Sequence, residues 1–224
     1  MTDVYSAAPR PAHRLIPSKF PPIGLFDTVA TAADLEAAME LAGWTNDRLV
    51  VERLRRLPGD EWIYGRPNSS VVMAAFLHVS PAGGRFNGSD LGAWYAAASL
   101  PTAAFEVAHH LRREAIATGK PGLSRDFRAY TAELEGFYLD IQGQQAQRVD
   151  VYASDSYVAS QALGEGVRTS GGAGILYDSV RHLGGICVVS HRPRNVLEVV
   201  QADHWQLGVE ASSPRVSLRK LSGT

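Results

Sequence analysis

The longest mostly apolar run in this chain is Val71 to Leu77. A bilayer-spanning helix needs about 20 apolar residues, so the buried surface here has to be assembled from many short segments. Glycine and proline punctuate those segments, and there is no repeat, low-complexity tract or convincing domain linker. Hydrophobic residues make up 45% of the 224 positions and charged residues 20%, which excludes a wholly disordered, collagen-like or coiled-coil chain. At this length a fold buries roughly 70% of its unfolded surface and needs no staple. The economical reading is α+β: one domain with mixed β-sheets flanked by helices.

Charge and thiols narrow the function classes. Lys plus Arg is 22 and Asp plus Glu is 23, for a net charge of -1, so no broad basic field draws nucleic acid or anionic lipid. The single Cys187 excludes an internal disulfide and a multi-cysteine metal site. The N-terminal segment lacks an apolar core and is broken by Pro9, Pro11, Pro17, Pro21 and Pro22, so it is no secretory signal. A cytoplasmic protein with no membrane contact is expected.

Residues 1–12 read as an irregular arm, and His13 to Ile16 as a short edge strand stopped by Pro17. Thr31 to Asp34 has the form of a capping box, followed by Leu35, Met39 and Leu41 at helical spacing. Asn46 to Leu57 is a second amphipathic segment, carrying Leu49, Val50, Leu54 and Leu57. Val71 to Val79 fits a helix or a buried strand equally. Pro81 to Gly88 is a turn, and Ala93 to Ala97 a strand. Ser99 caps a helix with Pro101 in its first turn, running to about Arg113 with Ala104, Val107, Ala108 and Leu111 inward. Phe127 to Ile141 reads as one or two strands. Tyr157 to Arg168 reads as a helix closed by Gly171-Gly172. Ile175 to Tyr177, Ile186 to Ser190 and Val196 to Val200 read as further strands.

Common catalytic signatures are absent: no G-x-S-x-G, P-loop, G-x-G-x-x-G or H-E-x-x-H. His109 and His110 are adjacent and diverge on a helix, a poor metal pair. Cys187, in an apolar strand, reads as a buried inert thiol. The informative window is 83–111. Its glycine pair permits a tight turn and close approach to a ligand. Arg85 supplies a rigid fork for phosphate or carboxylate. Tyr95 follows in the strand and Glu106 on the helix, off the centre of the packed face. Spacing alone leaves open whether Glu106 flanks a cleft or is solvated.

Together these residues resemble the RES domain family. The likeness is carried by Gly83-Gly84-Arg85-Phe86-Asn87, Tyr95-Ala96-Ala97 and Ala103-Ala104-Phe105-Glu106. His13 to Ser18 resembles the family's opening strand, with its arginine. Tyr157 to Gly164, Gly174 to Arg181 and Gly184-Gly185 resemble its C-terminal half, so the likeness runs in order from about 13 to 206. Phe86 stands where many members have Trp. Residues 24–78 are longer than in compact members and read as an inserted helical region within a RES domain spanning 13–224.

The resemblance implies an ADP-ribosyltransferase-like fold and the toxin of a type II toxin–antitoxin system. It implies that NAD+ is consumed as substrate, with no cofactor and no metal, by cleavage of its nicotinamide–ribose bond. Phosphorylase, glycohydrolase and ADP-ribosyltransferase outcomes share that first step. Glu106 is then the carboxylate that holds the ribose and offsets developing positive charge. Tyr95 stacks on nicotinamide. Arg14 and Arg85 hold the pyrophosphate or its attached riboses. Ser179 bonds a substrate amide or hydroxyl, with Ser160 a second serine candidate. The implied partner is a cognate Xre-type helix-turn-helix antitoxin, with a homodimer within the complex as an option. The competing classes are a catalytically inactive binding module and a ribonuclease toxin, which the net charge disfavours.

Overall fold

Sequence position and sheet position diverge strongly in this protein. The computed structural model describes residues 3–20, 24, 26–31, 33–35, 37 and 48–221. Its strands are β1 (Val4–Ala7), β2 (Ala12–Pro17), β3 (Trp94–Ala97), β4 (Gly122–Leu134), β5 (Phe137–Asp140), β6 (Gly174–Asp178), β7 (Ile186–Ser190), β8 (Val196–Glu210) and β9 (Val216–Lys220). They form one sheet in the order β1-β5-β6-β7-β3-β2-β4-β8-β9. Only β5 and β6 run parallel, so the sheet is mixed, in line with the α+β reading.

The helices are α1 (Arg48–Arg56), α2 (Ser69–Leu77), α3 (Leu100–Ala117) and α4 (Val158–Thr169). Strand alternation splits the core between the two sheet faces. Trp94, Tyr130, Tyr138, Leu176 and Val188 face one side, where Met73, Phe76 and Leu77 of α2 cover them. Phe127, Ala129, Ile175, Cys187 and Val189 face the other, covered by Ala104, Ala108 and Leu111 of α3. Val107 sits beside that stripe, partly buried. None of the described helices is long and apolar enough to cross a membrane.

Several elements differ from the sequence reading. The arm is not irregular throughout: Val4–Ala7 is an edge strand paired with β5, a long-range pairing that four residues cannot announce. Conversely, β2 is interior rather than an edge, lying between β3 and β4. Pro17 is tolerated there because Ser18 N–H donates to Asp126 O, so the proline nitrogen faces the opposite side. On that side β3 no longer runs alongside, since β2 and β3 pair only at His13 and Ala97.

The ambiguous Val71 segment is helical, entered through Asn68 at φ 64. An apolar α2 suits a site packed between the sheet and neighbouring segments. Thr31 Oγ1 accepts from Asp34 N–H at 3.1 Å, the expected cap. Met39, Leu41 and Asn46, with the Leu49 and Val50 side chains, lie outside the described residues. Leu54 and Leu57 are buried. Phe127 to Ile141 resolves into β4, which starts earlier, and β5. Helix α3 continues to Ala117, and β8 runs for 15 residues rather than stopping at Val200. Its exposed middle, Gln201 to His204, has no alternation to read and is bracketed by pairings of Gln201 and His204 with β4 across a bulge.

A buried carboxylate ties the helical segment to the connection between β7 and β8. Glu61, 3% exposed at its side chain, pairs with Arg192 Nη1 at 2.5 Å and Arg194 Nε at 3.2 Å.

Candidate active site

The turn before β3 is tightly closed and rests on Tyr95. Gly83 has φ +71, and a Cβ there would lie 2.3 Å from Asn87 O. Gly84 N–H donates to Asn87 O at 2.9 Å, closing the turn. Below it, Tyr95 Oη donates to Asn87 Oδ1 at 2.7 Å and accepts from Phe86 N–H at 2.8 Å. Both hydrogen-bonding functions of that hydroxyl are therefore spent on the turn, and burial raises its pKa. Phe86 packs edge-on against Tyr177, with ring centroids 4.7 Å apart.

Arg85 is buried at 8% exposure. Its Nη1 donates to Ala153 O at 2.9 Å and Val151 O at 3.2 Å, and its guanidinium lies 4.8 Å from the Tyr157 ring centroid. Among the described residues no carboxylate forms an ion pair with Arg85, Arg113 or Arg181. A buried cation without a counter-ion favours an anion nearby.

Glu106 reaches the same region from α3. The helix starts at Ser99, whose hydroxyl accepts from Thr102 N–H at 3.3 Å, and Ala104 and Ala108 let it settle on the sheet. Glu106 Oε1 accepts from Ser179 Oγ at 2.5 Å and from Cys187 Sγ at 3.7 Å. Ser179 Oγ itself accepts from the N–H groups of Arg181 at 3.1 Å and His182 at 2.9 Å. Its proton is thus directed at Glu106. No donor among the described residues meets Oε2. The turn that carries Ser179 is anchored on α3: the His182 ring stacks on Phe105 at 4.6 Å, and its Nδ1 lies 2.9 Å from Thr102 Oγ1.

The surroundings are cationic. His109 is pushed down to about 4, first by burial and then by Arg181, His110, Arg113 and Arg112, so it is neutral near pH 7. His110 is lowered chiefly by burial, with Glu106 opposing and Arg113, Arg181 and Arg85 reinforcing. Tyr177 is raised by burial, with Cys187, Glu106 and Tyr95 adding and Arg85 opposing. Glu106 therefore shares the surroundings of His110 and Tyr177 with Arg85, and those of His110 with Arg113 and Arg181. Such an arrangement can hold an anionic substrate and stabilise positive charge at a point beside the carboxylate.

A model of the RES domain family matches residues 53–210, more than half of the sequence. The chain belongs to the RES domain family. Arg85, Tyr95, Glu106, Ser160 and Ser179 fall within the matched residues, and Arg14 lies outside them. The uncharacterized protein y4oC of Sinorhizobium fredii is 23% identical over 195 residues, covering 87% of this chain and 80% of that protein. A chain in the crystal structure of the M. tuberculosis MbcT–MbcA toxin–antitoxin complex is similar with a TM-score of 0.47 at 14% identity. That similarity covers 88% of this chain and 86% of that one.

Within this RES domain the structure brings Glu106, Ser179, Arg85 and Tyr95 into one neighbourhood and separates two other candidates from it. Arg14 alternates onto the opposite sheet face, where its guanidinium lies 4.6 Å from the Trp94 ring and its Nη1 donates to Tyr95 O at 2.9 Å. Burial lowers its pKa to about 10. Ser160 is buried and donates to Tyr157 O at 3.1 Å within the start of α4. It braces the helix whose Tyr157 carries Arg85. Tyr177, Arg181 and Cys187 belong to the site but carried no assigned role in the sequence. Tyr177 and Cys187 are cross-strand partners on adjacent strands, and nothing local encodes that pairing.

Proposed function

We propose that this RES domain cleaves the nicotinamide–ribose bond of NAD+, as the toxin of a type II toxin–antitoxin pair. The observation that carries the reading is the two-sided Glu106 carboxylate. Oε1 is held by Ser179 and Cys187, while Oε2 meets no donor among the described residues. Departure of neutral nicotinamide leaves positive charge at ribose C1′. A carboxylate already fixed in orientation offsets that charge without reorganising. Arg85, with Arg181 and Arg113 nearby, offers the charge-assisted donors that two phosphates require. Tyr95 acts mainly through the turn, keeping Arg85 in place. Ser179 acts through Glu106.

The deciding experiment incubates purified protein with NAD+ in phosphate and in phosphate-free buffer and identifies the products. ADP-ribose-1″-phosphate, free ADP-ribose or labelled protein would each support cleavage and name the acceptor. NAD+ left intact by the folded protein would overturn the reading and leave a binding module.

The partner this reading calls for is a small antitoxin whose acidic segment enters beside Arg85. Leu183, fully exposed on the loop after Ser179, offers an apolar contact at the same edge. A cognate antitoxin that binds tightly yet leaves NAD+ cleavage untouched would refute occlusion.

A further inference from the structure

Cys187 is the second residue of β7, with Tyr177 of β6 and Ala97 of β3 as its cross-strand partners. It is 1% exposed. Strand alternation turns Val188 to the other face, so Cys187 is the β7 side chain that meets Glu106 from beneath. Its Sγ–Oε1 separation of 3.7 Å suits a sulfur donor. Any aliphatic residue there would press methyl groups against Oε1 and leave Ser179 as the single donor to that oxygen.

We propose that Cys187 is a positioning residue for Glu106: its buried thiol donates to Oε1 and, with Ser179, turns the carboxylate so that Oε2 faces the substrate sugar. The second half of this statement rests on the NAD+ reading given above; the first half does not. The thiol works as a donor only while protonated. Burial and the adjacent carboxylate both raise its pKa, which also removes it from nucleophilic chemistry. The residue that looks inert in the sequence is thus part of the floor of the site.

Two measurements test this. The chain has one cysteine, so its infrared S–H stretch is unambiguous. Hydrogen bonding to a carboxylate lowers that frequency, and Glu106→Ala should raise it. If Glu106→Ala does not fold, Glu106→Gln should raise it part of the way, because a neutral amide is the weaker acceptor. An unmoved band in a folded variant overturns the hydrogen bond, whether or not the protein consumes NAD+. The second measurement is steady-state kinetics. Cys187→Ala should lower kcat roughly three- to tenfold with KM nearly unchanged, the effect of removing one weak bond to a charged group. Cys187→Ser keeps a donor on a shorter bond and should recover part of that activity. Equal kcat in wild type and Cys187→Ala, or an effect confined to KM, overturns the positioning role even if the band moves.

Discussion

Replacing Glu106 with glutamine removes one negative charge and almost no volume. In the folded protein Oε1 receives Ser179 Oγ at 2.5 Å and Cys187 Sγ at 3.7 Å, and an amide oxygen can accept both. What changes is that a charge-assisted bond becomes a neutral one, at a cost of about 1 kcal/mol or less to stability. The effect on turnover should be far larger. A fixed carboxylate beside the developing cation is a preorganised electrostatic group, and removing one such group typically costs about 10²–10³ in rate, or roughly 2.7–4 kcal/mol. Ground-state NAD+ carries no full charge at C1′, so KM should stay within about threefold. The assay is NAD+ turnover by product chromatography, with circular dichroism and thermal melting on the same preparation. Near-full cleavage by a folded Glu106→Gln protein would show that Oε2 faces solvent without consequence. The reaction would then be centred on other residues.

Arg85→Ala should act through substrate binding: removing one partner of a buried charge-assisted hydrogen bond costs about 2–5 kcal/mol, at least ~30-fold in KM. A wild-type KM in the folded variant would remove Arg85 from the substrate. Glu61→Ala leaves Arg192 and Arg194 without their shared carboxylate, and with Arg194 46% exposed the destabilisation should be about 2–4 kcal/mol, read as a lower urea midpoint. His191 is held down to about 3, chiefly by burial, while the unfolded chain titrates near 6.5. The unfolded state therefore binds the proton first, and stability should fall as pH drops from about 6.5 towards 3. His191→Gln should flatten part of the difference between urea midpoints at pH 7 and pH 5, and an unchanged difference would refute the assignment.

What the sequence determined by itself was local. The Ser99 cap and Pro101, the apolar stripe of α3 and the Gly83-Gly84 turn follow from interactions within a few residues, and the structure bears each of them out. Glu106 could be seen to lie off the packed stripe for the same reason, because helical period alone decides it. The sheet order was decided only by the tertiary structure. Strand period says which residues share a face and not which strand lies alongside. Hence β1 has no local signal, β8 reads as shorter than it is, and β2 reads as an edge although it lies between two strands. The same limit governs the site. Arg14 and Glu106 both carried the family resemblance, yet register sends Arg14 to the Trp94 face and leaves Glu106 on the other. Cys187 and Ser179 come from β7 and the loop before it, and α3 supplies Glu106. Their meeting at one carboxylate oxygen depends on β3 and β7 pairing across most of a hundred intervening residues, a long-range register that no local pattern in this chain records.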